Sequence, residues 1–444
     1  MLNADTKNQG PRKTTLVLST CPQTLAVVRS LSAAGEPVVL GYSNRSHITR
    51  SRACVDSWRH LPLNSPGFGA QLCAFLSARQ DIDCVFPVGE SAIEIIHGLA
   101  DDLPSDVAVA AVPAQLFSVC HDKNAANQLA EQAGLRVPKY AIVKSHAELL
   151  SAAQAIGWPV IVKSVRTEAR VFGRKAYIVE NREQFDAVFK QWPAMHKDLV
   201  VQQYIRGTPA GADYVARDGE ILCYYECAVR RTDRLDGTGF AVEFESSAPS
   251  LELLEVISAF VKHANYTGPG LLQCIRCSDT GELYFIENNA RLAAGAGDTM
   301  AAGLDLPLYA FNAVVKPDRI QSPKSRTIAD FTADYRAGHR THWLERDILG
   351  WLDQRSQLSA RESARWVVRM VWASIRANAH MNWRWSDPAP SVSIYMSLLR
   401  RAVRSVFRPQ SNSSVETQRS EPVALSSGSG SVKSRNLEWP QKAA

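Results

Sequence analysis

No stretch of this 444-residue chain approaches the roughly 18 consecutive apolar residues of a membrane span. The first twelve residues are polar and lack an apolar signal core, so no secretion signal is expected there. No Gly-x-Gly-x-x-Gly follows the first apolar run. Ser19-Thr20-Cys21-Pro22 stands in its place, which argues against a dinucleotide site. A biotin-carrier Met-Lys-Met is also absent. The nine cysteines are odd in number and scattered among strand-like runs, which favours reduced thiols and a cytoplasmic setting over a disulfide framework. Cys274 and Cys277 lie three apart on a strand-like run and so face opposite sides. They cannot share a zinc ion, and Cys223 and Cys227 read as strand-buried thiols.

The chain is long enough for two or three domains, and its apolar content of 45% is ordinary for a soluble protein. Residues 14–118 alternate short apolar runs (TTLVLST, PVVLGYS, CVFPVG, VAVAAV) with amphipathic stretches. That βαβ repetition predicts a parallel sheet with helices on its faces. Glu90 falls just past a strand end, where such sheets present ligands; a helix-start acid favoured by the dipole is the competing reading.

The hairpin at 270–291, GLLQCIRCSDTGELYFIENNAR, is the most informative stretch. Gly281 suits a three-residue loop, Asp279-Thr280-Gly281, with the glycine in the left-handed region. That register predicts Ser278 opposite Glu282 and Gln273 opposite Glu287. Residues two apart share a strand face, so Glu287, Asn289 and Arg291 point the same way as Gln273. All the candidate metal ligands, Gln273, Glu287 and Asn289, offer oxygen, as Mg²⁺ (or Mn²⁺) prefers. Arg291 is placed for phosphate.

At Glu287-Asn288-Asn289-Ala290-Arg291 the chain resembles the ATP-grasp ligases of carboxylate–amine type, whose last core strand carries Glu-x-Asn-x-Arg. Gln273 replaces their usual acidic residue, as it does in carbamoyl-phosphate synthetases of the same superfamily. The resemblance covers about residues 14–315. It implies that Lys123, at the start of a helix capped by Asp122, and Lys163, in the strand WPVIVKS, contact ATP phosphates. In DLVVQQYIRG it implies a hinge through Gln202, Gln203, Tyr204 and Ile205 that reads adenine by main-chain groups, with Asp213 for the ribose hydroxyls. Arg230 and Arg231 are candidates for stabilising an acyl phosphate.

The resemblance also implies the fold class. An α/β Rossmann-like pre-ATP-grasp domain (14–118) precedes an α+β ATP-grasp domain (119–318, subdivided near 196). Many relatives cover the phosphates with a glycine-rich loop. Here SVRTEARVFGRKAYIV has one glycine, Gly173, so Arg166, Arg170, Arg174 and Lys175 form either a basic lid or a solvated loop.

The implied activity is ATP-dependent ligation of a carboxylate to an amine or thiol, with ATP as co-substrate. The alternatives are a carbamoyl- or carboxy-phosphate-forming enzyme and an ATP-binding interaction protein without turnover. Residues 319–409 are expected to be a basic helical extension, between unstructured ends at 1–13 and 410–444. From Arg361 to Arg408 there are nine arginines against Glu362 and Asp387, a net of +7, while the whole chain carries +6. In ESARWVVRMVWASIRANAH, Arg365, Arg369 and Arg376 form one helical stripe and Trp366, Met370 and Ala373 another face. Three readings stand: packing on the core, an anionic membrane surface or acidic glycan (placing the protein peripherally at a membrane), and nucleic acid, ranked last.

Overall fold

The computed structural model describes residues 13–165, 170–235, 239–320 and 326–407. The terminal segments 1–12 and 408–444, and Arg166 of the basic loop, lie outside the described residues.

Five strands, β1 (Thr14–Leu18), β2 (Val38–Tyr42), β3 (Asp56–Arg59), β4 (Ile82–Pro87) and β5 (Ala108–Val109), form a parallel sheet in the order β3-β2-β1-β4-β5. Helices cover both faces of such a sheet, and the run TTLVL is accordingly buried throughout. Leu16 and Leu18 enter one core and Val17 the core on the opposite face.

A four-stranded sheet follows, in the order β6-β9-β7-β8: β6 (Tyr140–Val143), β7 (Val160–Ser164), β8 (Ala176–Val179) and β9 (Leu199–Gln203). It encloses a separate core around Val160, Val162, Phe185 and Val201. Val160 and Val162 point inward, so the alternate residue Lys163 is turned out of that core.

The largest sheet has seven strands in the order β14-β13-β10-β11-β12-β15-β16. They are β10 (Gly207–Arg217), β11 (Glu220–Thr232), β12 (Ala241–Ser247), β13 (Gly268–Cys277), β14 (Leu283–Asn289), β15 (Arg340–His342) and β16 (Ala379–His380). The last two come from the stretch expected to be a helical extension. That stretch is mainly helical, with helices at Leu344–Gln354, Ala360–Arg376 and Ala389–Phe407, and it also completes the sheet, because β15 pairs with β12 and β16 with β15. It is also fastened to the parallel sheet. Arg29 Nε donates to Asp387 Oδ2 at 2.9 Å, Ser51 Oγ to the same oxygen at 2.7 Å, and the Arg52 N–H to Asp387 Oδ1 at 3.0 Å.

The β13–β14 hairpin departs from the expected register at its tip and recovers it further in. The Cys277 N–H donates to the Glu282 carbonyl, leaving a four-residue loop, Ser278–Gly281, with Gly281 at φ +76°. The pairs Arg276↔Leu283 and Cys274↔Phe285 follow, then a bulge at Gln273/Cys274 shifts the ladder so that Gln273 faces Glu287. The pair is the expected one, reached through an irregularity that alternation alone does not reveal.

Gly270 lies where a side chain has no room. A methyl group there would run into the ring of Tyr214, which is fully buried and whose hydroxyl donates to Asn288 Oδ1 at 2.9 Å. Gly270→Ala is expected to destabilise the fold by about 1–3 kcal/mol. Urea unfolding with an unchanged midpoint would show that the ring is free to give way.

Candidate active site

The small sheet contributes Lys163, which is 8% exposed and donates from Nζ to Gln202 Oε1 at 2.8 Å. Burial and the charge of Lys123 push Lys163 down to about 8, against an opposing pull from Glu287. Lys123 opens the helix Lys123–Gln132. Asp122 caps it as expected, accepting from the Asn124 and Ala125 N–H groups at 2.8 and 2.9 Å. Burial lowers Lys123 as well, while Glu287, Glu90 and Asp122 counteract it and Lys175 adds to it. Two lysines and Glu287, from three elements of the fold, therefore share one field.

The large sheet supplies the oxygens. Leu283 and Phe285 are buried, and without the bulge Glu287 would continue onto their face. Instead Asn288 takes the inward position, 1% exposed, and anchors the strand through Tyr214. Glu287 and Asn289 turn to the other side. Asn289 Nδ2 donates to Glu287 Oε1 at 3.1 Å and to Gln273 Oε1 at 3.4 Å, so all three side chains meet. Arg291 Nη2 donates to Asn289 Oδ1 at 3.2 Å, and its Nε to Glu90 Oε1 at 2.9 Å. Glu90, at the start of the helix following β4, thus links the parallel sheet to this cluster.

One carboxylate and two amide side chains within hydrogen-bond reach of one another form a hard-oxygen donor set. This suits a cation such as Mg²⁺ that takes its remaining ligands from phosphates and water. Among the described residues no cluster of three or more His, Cys, Asp or Glu offers a competing site. All nine cysteines are free.

Several expected site residues stand elsewhere or act differently. Gln202 lies inside the ladder, between Tyr140 and Ile161, so its side chain faces the site and its main chain belongs to the sheet. The Gln203 N–H is taken by the Lys139 carbonyl at 2.8 Å and the Tyr204 N–H by the Pro159 carbonyl at 3.2 Å. Of the four hinge residues, Ile205 has an N–H with no bond to any described residue.

Asp213 lies six residues along β10 from Gly207, about 20 Å at strand rise, which is too far from the hinge for a ribose next to a hinge-bound base. It is buried among a different set. Desolvation and the neighbouring Asp298 push it up to about 7, with Arg291 opposing. Asp298, which accepts from the Tyr225 hydroxyl at 2.7 Å, carried no signal in the sequence beyond lying in the glycine-rich segment after the hairpin.

Arg230 and Arg231 are the plainest correction, because they project from the opposite face of the sheet. Gln273 pairs with Gly211, whereas the next residue, Ala212, pairs with Glu226 and Glu226 with Ser247. Glu243 and Glu245 share the Ser247 face and hold these arginines, at 3.6 Å to Arg231 and 3.1 Å to Arg230. Arg231 is further committed to the buried Asp347 by a two-pronged ion pair. Burial alone would raise Asp347, but the bonds from Arg231 and His342 hold it below the usual carboxylate range.

In the basic loop, Val171 and Arg174 exchange main-chain hydrogen bonds at 2.9 Å around Gly173, and Arg174 lies over the Tyr177 ring. Arg170 Nη1 donates to the Gly173 carbonyl at 3.5 Å. Lys175 is the member whose charge is felt at Lys123.

Residues 122–313 match the family described as carbamoyl-phosphate synthase L chain, ATP binding domain. This segment is an ATP-grasp domain. The carbamoyl phosphate synthase large chain of Pseudomonas putida is 22% identical over 284 residues, covering 60% of this chain and 25% of the relative. That of Methanobrevibacter smithii is 23% identical over 276 residues, with the same coverage. The chain thus spans about a quarter of the length of these relatives. Among solved structures, the biotin carboxylase domain of Hydrogenobacter thermophilus 2-oxoglutarate carboxylase, in complex with MgADP, ADP and bicarbonate, superposes with a TM-score of 0.57. The two are 18% identical, over 74% of this chain and 73% of that one. An L-amino acid ligase from Bacillus licheniformis gives 0.54 at 16% identity, over 75% and 79%. The likeness in fold to these two structures therefore extends over about three quarters of this chain.

Lys163 allows a test that needs no substrate. Its folded value, about 8, lies below the 10.5 of an exposed lysine, so between these values the unfolded chain binds more protons and stability rises with pH. The cost of the buried charge is fully present below pH 8. Lys163→Met is therefore expected to gain stability relative to wild type at pH 7, by on the order of 2 kcal/mol more than at pH 9.5. A stability difference that stays constant between the two pH values in urea unfolding would contradict the shifted lysine.

Proposed function

We propose that the chain is an ATP-dependent ligase that phosphorylates a carboxylate and passes the acyl group to an amine or thiol. What supports this reading is that Lys123 and Lys163 both feel the charge of Glu287, while Gln273, Glu287, Asn289 and Arg291 are joined by side-chain hydrogen bonds. Gln273, Glu287 and Asn289 would hold Mg²⁺, which when bound spreads and neutralises charge on the transferring phosphoryl group. Half-buried Lys123 and buried Lys163 would gain a counter-charge from ATP phosphates.

Arg291 is held by Glu90 and Asn289, so its guanidinium is oriented before substrate arrives and stands at the border with the parallel sheet. In the proposed sequence a carboxylate oxygen attacks the γ-phosphorus and ADP leaves. The amine then attacks the acyl carbon and releases phosphate. Positioning and fixed charge account for the catalysis, as is usual for phosphoryl transfer. The hinge at Gln203–Ile205 would contact the adenine, with the Ile205 N–H available to its edge.

A second reading is favoured by Gln273. With an amide where many relatives have an acid, the site resembles enzymes that make carboxy- or carbamoyl-phosphate from bicarbonate. ADP release measured over carboxylic acids crossed with amino acids, with bicarbonate as a separate arm, distinguishes the two. Acid- and amine-dependent release supports the ligase, and release with bicarbonate alone supports the second reading. Glu287→Gln keeps the volume but removes the single carboxylate of the donor set. It is expected to lower turnover by about a hundredfold or more while leaving the unfolding midpoint close to that of wild type. Near-normal ADP release by that variant would remove the hairpin from the mechanism.

A further inference from the structure

The helix Ala360–Arg376 has three faces, and the ligase reading uses none of them. It begins with a capping box in which Ser359 and Glu362 bond reciprocally. At 100° per residue, Trp366, Met370 and Ala373 lie together, and Trp366 and Ala373 are buried against the body of the protein. This is the packing face expected from the sequence. About 180° around the helix runs a second apolar stripe, Val368, Val371, Trp372 and Ile375, at spacings of three, four and seven. These residues are 67%, 51%, 58% and 71% exposed. A helix that had only to pack on its own domain would carry polar side chains there. Between the two faces, Arg365, Arg369 and Arg376 line up within a narrow sector.

Beside the exposed Trp372 opens a groove of about 580 Å³ lined by arginines from two parts of the chain, Arg230, Arg231 and Arg340 from the sheet and Arg369 and Arg376 from the helix. The sheet arginines are partly neutralised by Glu243 and Glu245, and Arg231 by Asp347. Arg369 and Arg376 form no ion pair among the described residues; Arg376 lies over the Trp372 ring at 5.5 Å. The groove is on the sheet face opposite the Gln273–Glu287 cluster, so it is not part of the ATP cleft.

The geometry points to a docking surface for an anionic lipid bilayer. The stripe centred on Trp372 and Ile375 enters the interfacial region, and lipid phosphates meet Arg369 and Arg376 at the mouth of the arginine groove. Charge complementarity selects this occupant. An exposed apolar stripe bordered by unpaired arginines, with an interfacial tryptophan at the border, matches a surface that is apolar within and anionic at its rim. No helix among the described residues is long and apolar enough to cross a membrane, so this contact lies on the surface of the bilayer. It places the adjoining ATP-grasp domain beside the membrane without involving the cleft.

The test uses the full chain and co-sedimentation with vesicles of phosphatidylcholine alone or mixed with phosphatidylglycerol. Wild type is expected to bind the phosphatidylglycerol vesicles at 0.01 M salt and to weaken steeply at 0.1 M, as the Debye length falls from about 30 to about 10 Å. Trp372→Ser with Ile375→Ser, both on exposed positions, is expected to lower that binding about tenfold or more. Arg369→Gln with Arg376→Gln is expected to remove the preference for phosphatidylglycerol. Affinity for Mg-ATP, measured on the same samples by titration calorimetry, is expected to stay unchanged in both variants. Three results would overturn the proposal. One is no binding by wild type at low salt, and another is undiminished binding by the serine variant. The third is a wild-type dimer that the serine substitutions convert to monomer in light scattering, since a second copy would then cover the stripe.

Discussion

Leu283 and Phe285 are buried beneath the seven-stranded sheet, and strict alternation would send Glu287 down after them. The bulge at Gln273/Cys274 adds one residue to β14 and reverses the parity. Asn288 then goes inward, where Tyr214 meets its side-chain oxygen, while Glu287 and Asn289 go outward together. A carboxylate on the inner face would be desolvated among Phe260, Phe285 and Tyr266. The oxygen cluster, its bond to Arg291 and the field felt by both lysines all follow from that extra residue. The close approach of β13 to β10 at Gly270 holds the Tyr214 ring, and hence Asn288, in place beneath it.

The cleft is built from charges that the fold alone leaves imperfectly balanced. Burial lowers the hold of both Lys123 and Lys163 on a proton, the charge of Lys123 lowers that of Lys163 further, and the carboxylates Glu287 and Glu90 are engaged by Asn289 and Arg291. Withdrawing such a pair from water costs stability, and a bound polyanion would relieve it. Groups fixed in advance by a sheet, a capped helix and a guanidinium held at both ends would need little rearrangement as charge moves in the proposed phosphoryl transfer. The arginine groove on the other face is balanced differently, with Arg231 locked to a buried Asp347 that is also hydrogen-bonded to His342. It is part of how the C-terminal segment joins the sheet.

Local signals in the sequence were sufficient where the contact is local. Asp122 before Lys123 reads as a cap and is one, and the alternation around Val160 and Val162 puts Lys163 outside the core. The Gln273–Glu287 pair was also legible, but the loop length assumed for it was one residue short, and the bulge compensated. Contacts made across long chain separations were not legible. Arg231 finds its carboxylate 116 residues away at Asp347, and nothing near either residue announces the other. Hinge geometry failed for a related reason: which N–H groups remain available depends on whether Lys139 and Pro159 present carbonyls to them. Composition marked 319–409 as basic and amphipathic, but it could not show that Arg340–His342 and Ala379–His380 are strands, since two or three residues carry no period. The Asp387 clamp on Arg29 and Ser51 likewise needs the assembled parallel sheet.

The central claim is that one cation and the ATP phosphates meet between the hairpin and the strand lysine. A crystal structure of the full chain with Mn²⁺ and a non-hydrolysable ATP analogue, read by the anomalous signal of manganese, tests it most directly. The account predicts an anomalous peak within coordination distance of Glu287, Asn289 and Gln273, with phosphate oxygens against Lys163 and Lys123. Manganese bound elsewhere, or a nucleotide whose phosphates avoid both lysines, would contradict it.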